Sequence, residues 1–203
     1  MRITLSITLL SCTLLLSACA NVGVVSTAAK VTNFALESVG LKAPEVPEVP
    51  DSQLPPRNVA LKLHAGSNLN SGVTKSPLSL VARVYKLKQT GAFYSAPYSA
   101  FQSAEKEKEA LGGDLIEVRE LSLVPGQIYE VTEKVSREAN YIAVVTLFRT
   151  PAPQRWRVAF AAKDAESSGV LVGVHACSLT VGKGAATDPI TLFANPVTPS
   201  RCQ

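Results

Sequence analysis

Histidine is scarce in this 203-residue sequence, and what little there is forms no site. Only His64 and His175 occur, with no HExxH pair, no Cys/His cluster and no acidic triplet, so a metal centre lacks ligands. There is no GxSxG elbow for a nucleophile and no GxxxxGK loop followed by Ser or Thr for phosphate. The nearest glycine-lysine cluster, Gly182-Lys183-Gly184, has the spacing of a turn. None of the four cysteines belongs to a CxxC motif, which argues against redox or zinc chemistry. The carboxylates are scattered, with no pair whose surroundings would drive their acidities apart. Beyond the N-terminus no apolar run reaches membrane length, which excludes a multi-span membrane protein. A balance of 20 Lys+Arg against 16 Asp+Glu makes no basic stripe, and the aromatic residues do not interleave with the cations, so nucleic acid is not a partner. No enzyme chemistry and no cofactor is read from this chain. With 46% hydrophobic residues it is nevertheless neither disordered nor collagen-like.

The N-terminus carries the strongest local signal. Met1-Arg2 is followed by an apolar core over residues 3–16 and then Leu16-Ser17-Ala18-Cys19, a secretory signal rather than a fold element. Leucine at −3, two small residues and a cysteine resemble the bacterial lipobox, so residues 1–18 are read as a lipoprotein signal peptide and Cys19 as the acylated first residue. Each buried methylene contributes about 0.8 kcal/mol, and several chains together hold a protein firmly on a bilayer. Ala20, rather than Asp, follows the cysteine, which points to the outer membrane and a periplasm-facing domain. Cys177 and Cys202 then remain as an even pair in an oxidising compartment. A disulfide between them would contribute on the order of 3 kcal/mol by loop entropy. Two separate thiols are the alternative.

Residues 19–57 read as a lipidated tether. An apolar, roughly helical pattern over 24–35 precedes Pro44-Glu45-Val46-Pro47-Glu48-Val49-Pro50, a stiff polyproline spacer that reaches Pro55-Pro56. At about 3.1 Å per residue it would span some 40 Å. The folded domain is placed at residues 58–203. Period-two patterning predicts strands over 58–66, 78–88, 115–123, 127–135, 140–149, 155–162 and 170–181, with turns at Pro125-Gly126, Pro151-Ala152-Pro153 and Ser167-Ser168-Gly169. One stretch, 98–111, carries Glu105-Lys106-Glu107-Lys108-Glu109 and ends at Gly112-Gly113. It is predicted to be a helical insert between strands two and three. The fold class is mainly β, an antiparallel β-sandwich.

The order of motifs along the chain resembles a known family. Val84-Tyr85-Lys86-Leu87-Lys88, Phe93, Ala110-Leu111-Gly112-Gly113-Asp114-Leu115, Leu123-Val124-Pro125-Gly126, Tyr141-Ile142-Ala143-Val144-Val145, Phe148-Arg149 and Trp156-Arg157, behind a lipobox, are similar to the TssJ (SciN) family, outer-membrane lipoproteins of the bacterial type VI secretion system. The resemblance runs over about residues 58–181. It implies a transthyretin-like antiparallel β-sandwich of about seven to eight strands with a helical addition. It also implies a non-catalytic role, anchoring the secretion membrane complex by binding the periplasmic C-terminal region of the inner-membrane protein TssM. In the family the loop between the first two strands carries much of that contact. Here its residues are Asn68, Leu69, Asn70, Ser71, Gly72, Val73, Thr74 and Lys75, within the connection 67–77, and Leu69 and Val73 are the expected apolar anchors. Two other readings compete. A transthyretin-like hydrolase would carry a Tyr-Arg-Gly-Ser tetrapeptide and paired histidines, and the tetrapeptide is missing; a different envelope binding module would need a concave aromatic site.

Overall fold

Apolar residues at every second position make β1 (Arg57–Ala65) a half-buried strand. Val59, Leu61, Leu63 and Ala65 face inward, while Asn58, Ala60 and His64 are exposed. In the computed structural model, which describes residues 49–72, 75–187 and 202, β1 pairs antiparallel with β4 (Ile128–Val135) and parallel with β7 (Val170–Val174). With β8 (Leu179–Lys183) these strands form a sheet in the order β4-β1-β7-β8. The second sheet is antiparallel throughout and is built from β2 (Leu80–Leu87), β3 (Leu115–Leu123), β5 (Tyr141–Thr146) and β6 (Arg157–Ala161), in the order β3-β2-β5-β6. The two inner faces meet in one core that includes Leu61, Leu63, Val84, Leu123, Val144 and Val172.

The fold is a mainly β sandwich, with three local departures from the expectation. The expected strand over 170–181 is two strands, because residues 175–178 turn the chain: the His175 N–H donates to Ser178 O at 3.0 Å. That turn contains no Gly, Pro, Asn or Asp, and Ser178 alone is a weak turn signal. The helix α3 (Ala162–Ser168) was missed; it ends at Gly169, whose φ of 68° and N–H to Ala165 O close the last turn. It carries the chain from β6 across to the other sheet, and β7 therefore enters beside β1 in parallel. The insert between β2 and β3 is also more broken than one helix. It consists of α1 (Gly91–Ser95), a 3-10 turn (Tyr98–Gln102) and α2 (Ala104–Leu111), because Pro97 and Ser103 both hold extended backbone. The expected glycine stop is Gly112, at φ 51°.

This insert covers the outer face of the second sheet. Tyr85 on β2 meets Phe93 and Phe101 with ring centroids 5.8 and 6.0 Å apart, and Trp156 meets Phe101 at 5.2 Å and Tyr98 at 4.9 Å, all tilted or edge-on. The Arg157 guanidinium donates to Phe93 O at 2.7 Å and Ala96 O at 2.6 Å, closing the orphan carbonyls of α1. Arg83 pairs with the buried Glu107 of α2. Burial, and then the neighbouring Glu107 charge, pushes the Tyr85 phenol far above its ordinary range.

Where β3 and β4 leave the sandwich open, charges point inward. Lys86 reaches Glu117 at 2.7 Å and Glu133 at 3.9 Å, while Arg119 pairs with Glu133 and donates to the Tyr129 hydroxyl at 2.9 Å. At the N-terminal side, Asp51 and Pro55 are bonded to the domain. Asp51 accepts from Arg57 at 2.6 Å and Arg137 at 3.0 Å, and Arg137 also donates to Pro55 O at 2.6 Å.

Candidate functional site

Four connections meet at the end of the sandwich where β1 finishes. They are the β1–β2 loop, the β3–β4 turn, the β5–β6 loop and the β7–β8 turn. The chain enters the domain at the other end of β1, nine residues away, or about 30 Å at the rise of an extended strand. The candidate loop therefore lies at the opposite end of β1 from the residue where the described chain enters it.

The loop is built on Leu69 and Asn70. Leu69 was expected to be an apolar anchor for a partner, but it is fully buried in the sandwich core and so serves to hold the loop down. Asn70 is buried as well: its N–H donates to His175 O at 3.0 Å, its Nδ2 to Ser79 O at 3.2 Å, and its Oδ1 accepts the Arg149 N–H at 2.8 Å. One residue, through its backbone N–H and its side chain, thus ties three of the four connections together. Its φ of 51° is the left-handed conformation that Asn tolerates better than most residues. Ser71 is buried too, and Gly72, at φ 52°, donates to Ala176 O at 3.2 Å. A Cβ on Gly72 would lie 2.6 Å from Thr150 Oγ1, so glycine is required there for space as well as for φ. Asn68, Lys75 and residues 76–79 form the exposed rim. Val73 and Thr74, like Cys19 and the lipobox, lie outside the described residues.

Sequence reasoning missed the β7–β8 turn as the platform of this loop. Besides its bonds to Asn70 and Gly72, it accepts the Ala152 N–H at Cys177 O, 2.8 Å away, and so fixes the β5–β6 loop. Cys177 is joined to Cys202 there, with Cα atoms 5.7 Å apart. The isolated cysteine within an apparent strand was the one available sign that this stretch is special. His175 is half-buried, bonded through Nε2 to Thr180 Oγ1 at 2.9 Å; desolvation, followed by the charge of His64, holds its imidazole below the ordinary histidine value.

Chemically this end can bind but shows no reactive constellation. Among the described residues, no three His, Cys, Asp or Glu side chains gather as metal ligands would, and no helix is long and apolar enough to cross a membrane. An open cavity of about 340 Å³ lies beside the loop, lined by Asn70, Ser79, Leu80, Val81, Ser122 and Leu147.

Comparison with known proteins decides the family. Residues 57–177, more than half of the chain, match the family model described as type VI secretion lipoprotein, VasD, EvfM, TssJ. The chain belongs to this family. A type VI secretion lipoprotein is membrane-anchored, and the match begins at the first residue of β1. Solved structures agree: the chain is 26% identical to the T6SS lipoprotein TssJ1 from Pseudomonas aeruginosa, with a TM-score of 0.56 over 65% of this chain and 99% of that one. It is 28% identical to a chain of a type VI membrane complex, with a TM-score of 0.56 over 62% and 97%. To a chain in the structure of the T6SS protein TssM C-terminal domain from EAEC it is 29% identical, with a TM-score of 0.53 over 61% and 98%. Comparison with curated proteins finds no match.

Proposed function

We propose that this type VI secretion lipoprotein is a non-catalytic anchor. Residues 1–18 are removed as a signal peptide, acylated Cys19 holds the mature chain in the outer membrane facing the periplasm, and residues 19–57 tether the sandwich. The partner is the periplasmic C-terminal region of TssM, taken up by the β1–β2 loop. The observation that carries this reading is the placement of that loop. It sits at the end of β1 opposite the point where the chain enters, set on a platform of buried hydrogen bonds from Asn70 and Gly72. A likeness of 29% to a chain in the structure of the TssM C-terminal domain and of 28% to a chain of a type VI membrane complex supports the choice of partner. The absence of any catalytic motif in the sequence favours a scaffold over the hydrolase reading.

The test is calorimetric titration of the purified mature chain with the cognate TssM region. Removing residues 68–75 whole would take out buried Leu69 and Asn70 and confound binding with folding. The informative variant replaces only the exposed rim, Asn68, Lys75 and Ser76, by Gly. Saturable wild-type binding that the rim variant loses, at an unchanged melting temperature, supports the loop. Undiminished binding removes it from the interface. Cys19→Ser is expected to leave the protein unacylated and to release it from the membrane fraction.

A further inference from the structure

The loop end is chemically one-signed. Its four connections carry Lys75, Arg149 and Arg155 and not one carboxylate, whereas the connections at the opposite end carry both signs, with Arg137 and Lys163 beside Asp51, Glu138, Asp164 and Glu166. Of the six large hydrophobics that stand exposed among the described residues, Leu78 (40%), Val124 (49%) and Ile128 (54%) are at this end. The backbone draws them together with the loop: Leu78 N–H donates to Leu69 O at 2.9 Å and Gly126 N–H to Gly66 O at 3.3 Å. The cavity beside Asn70 has Ser79, next in sequence to Leu78, and Ser122, two residues before Val124, in its wall, together with Leu147 of the β5–β6 loop.

We propose that this end recognises an acidic protein segment built around one large apolar side chain. The apolar side chain enters the cavity between Asn70 and Leu147. The carboxylates around it meet Lys75 and Arg155, and Leu78 and Val124 supply the apolar margin. Connections with no carboxylate among them present no like charge to such a segment, while they repel a basic one, and this sets partner choice more than raw affinity. A buried apolar anchor ringed by charge is also the usual division of labour in a protein interface. The inference rests on the reading that the loop end is the docking site and adds the chemistry of what docks there.

The experiment titrates the full mature chain with the cognate TssM region at about 50 and 300 mM salt, for wild type, Lys75→Glu, Arg155→Glu and the insert control Lys106→Glu. In parallel, amide shifts of the labelled chain are followed while a synthetic peptide, Glu-Glu-Trp-Glu-Glu, is added. The expected result is binding weakened about tenfold by either loop-end reversal and by salt, no change in the control, and peptide shifts confined to the loop end. Lys75 already sits at φ 58°, so its replacement by Glu adds no backbone strain. Saturable TssM binding indifferent to both reversals and to salt overturns the acidic-segment proposal and leaves the anchor reading standing. Peptide shifts at the loop end with no TssM binding overturn the anchor reading and keep the surface chemistry. Silence in both assays overturns both, as does self-association of the chain through this end in sedimentation.

Discussion

The two sheets of the sandwich share one core but differ on their outer faces. The β4-β1-β7-β8 sheet is open to solvent there, and β1 shows it in a buried-exposed alternation that is nearly regular. The β3-β2-β5-β6 sheet is covered by the insert, and β5 and β6 are consequently buried on both sides, with Ile142, Ala143, Val144 and Val145 all out of water. The covered face is therefore occupied within the chain itself, while the bare face carries an open cavity of about 580 Å³ lined by Ala60, Lys62, Glu130, Thr132 and Lys183, with Lys62 and Glu130 paired at 2.5 Å. The ends of the sandwich differ from both faces in that their connections can vary without disturbing either sheet.

The largest effect is expected where the cover itself is cut. Phe101 is fully buried and touches Tyr85, Phe93 and Trp156, so Phe101→Ala is predicted to cost about 3–5 kcal/mol. Ile128→Ala on the bare sheet, at a residue 54% exposed, should change stability by less than about 0.5 kcal/mol. Urea unfolding of both variants checks the contrast, and equal losses would mean the insert is not part of the cooperative core. Next comes the ionic pin under the same cover. Glu107→Ala removes the buried partner of Arg83, whose side chain is only 15% exposed but keeps Glu120 at 2.9 Å and Phe101 O at 3.0 Å, with an expected cost of about 2–3 kcal/mol. Glu107→Gln, which keeps a hydrogen-bond acceptor for Arg83, should cost visibly less in the same measurement.

The difference between the sheets also governs what was legible in the sequence. Strand β3 was predicted with its observed bounds, and β1 and β4 to within a residue, because their outer or edge faces meet water and print polar residues at every second position. The covered sheet's β5 and its neighbours are apolar on both faces, so their ends blurred: the strand expected over 140–149 stops at Thr146. The insert was recognisable from Gly112, but its breaks are set by contacts with Arg157 and Arg83 that lie far away in sequence. At the candidate site the loop's position followed from strand order. The role of Leu69 did not, since an apolar residue in a polar loop reads the same whether it faces a partner or the core. The platform at residues 175–178 was hidden because, of His, Ala, Cys and Ser, only Ser178 is a turn former, and a weak one.

The disulfide sharpens the comparison at the loop end. It closes a separation of 25 residues, and by loop entropy Cys177→Ser should lower stability by about 2–3 kcal/mol. Because Cys177 O holds the Ala152 N–H, amide protection should fall first in the β5–β6 loop and last beneath the insert. Loss spread evenly over both sheets would mean that the bond acts on the whole sandwich and not on this end.

The smallest effect is a pH dependence confined to the same end. His175 is held below the ordinary histidine value, first by desolvation and then by the His64 charge, so the fold favours its neutral form. A folded-state value below the unfolded one gives stability that is present above about pH 6.5 and is lost as the pH falls through the folded value. His175 O receives the Asn70 N–H and Gly66 N–H donates to Val174 O, so charging this ring loosens the root of the β1–β2 loop. The Asn70 amide is therefore expected to lose protection between pH 7.5 and 5, measured as a protection factor to remove the intrinsic dependence of exchange on pH. Ala143, beneath the insert, should hold its protection over the same range. His175→Gln keeps the backbone carbonyl and removes the titrating ring, so the Asn70 response should vanish in that variant. A response that survives the substitution would assign it to some group other than this imidazole, and would detach the loop's acid sensitivity from the β7–β8 turn.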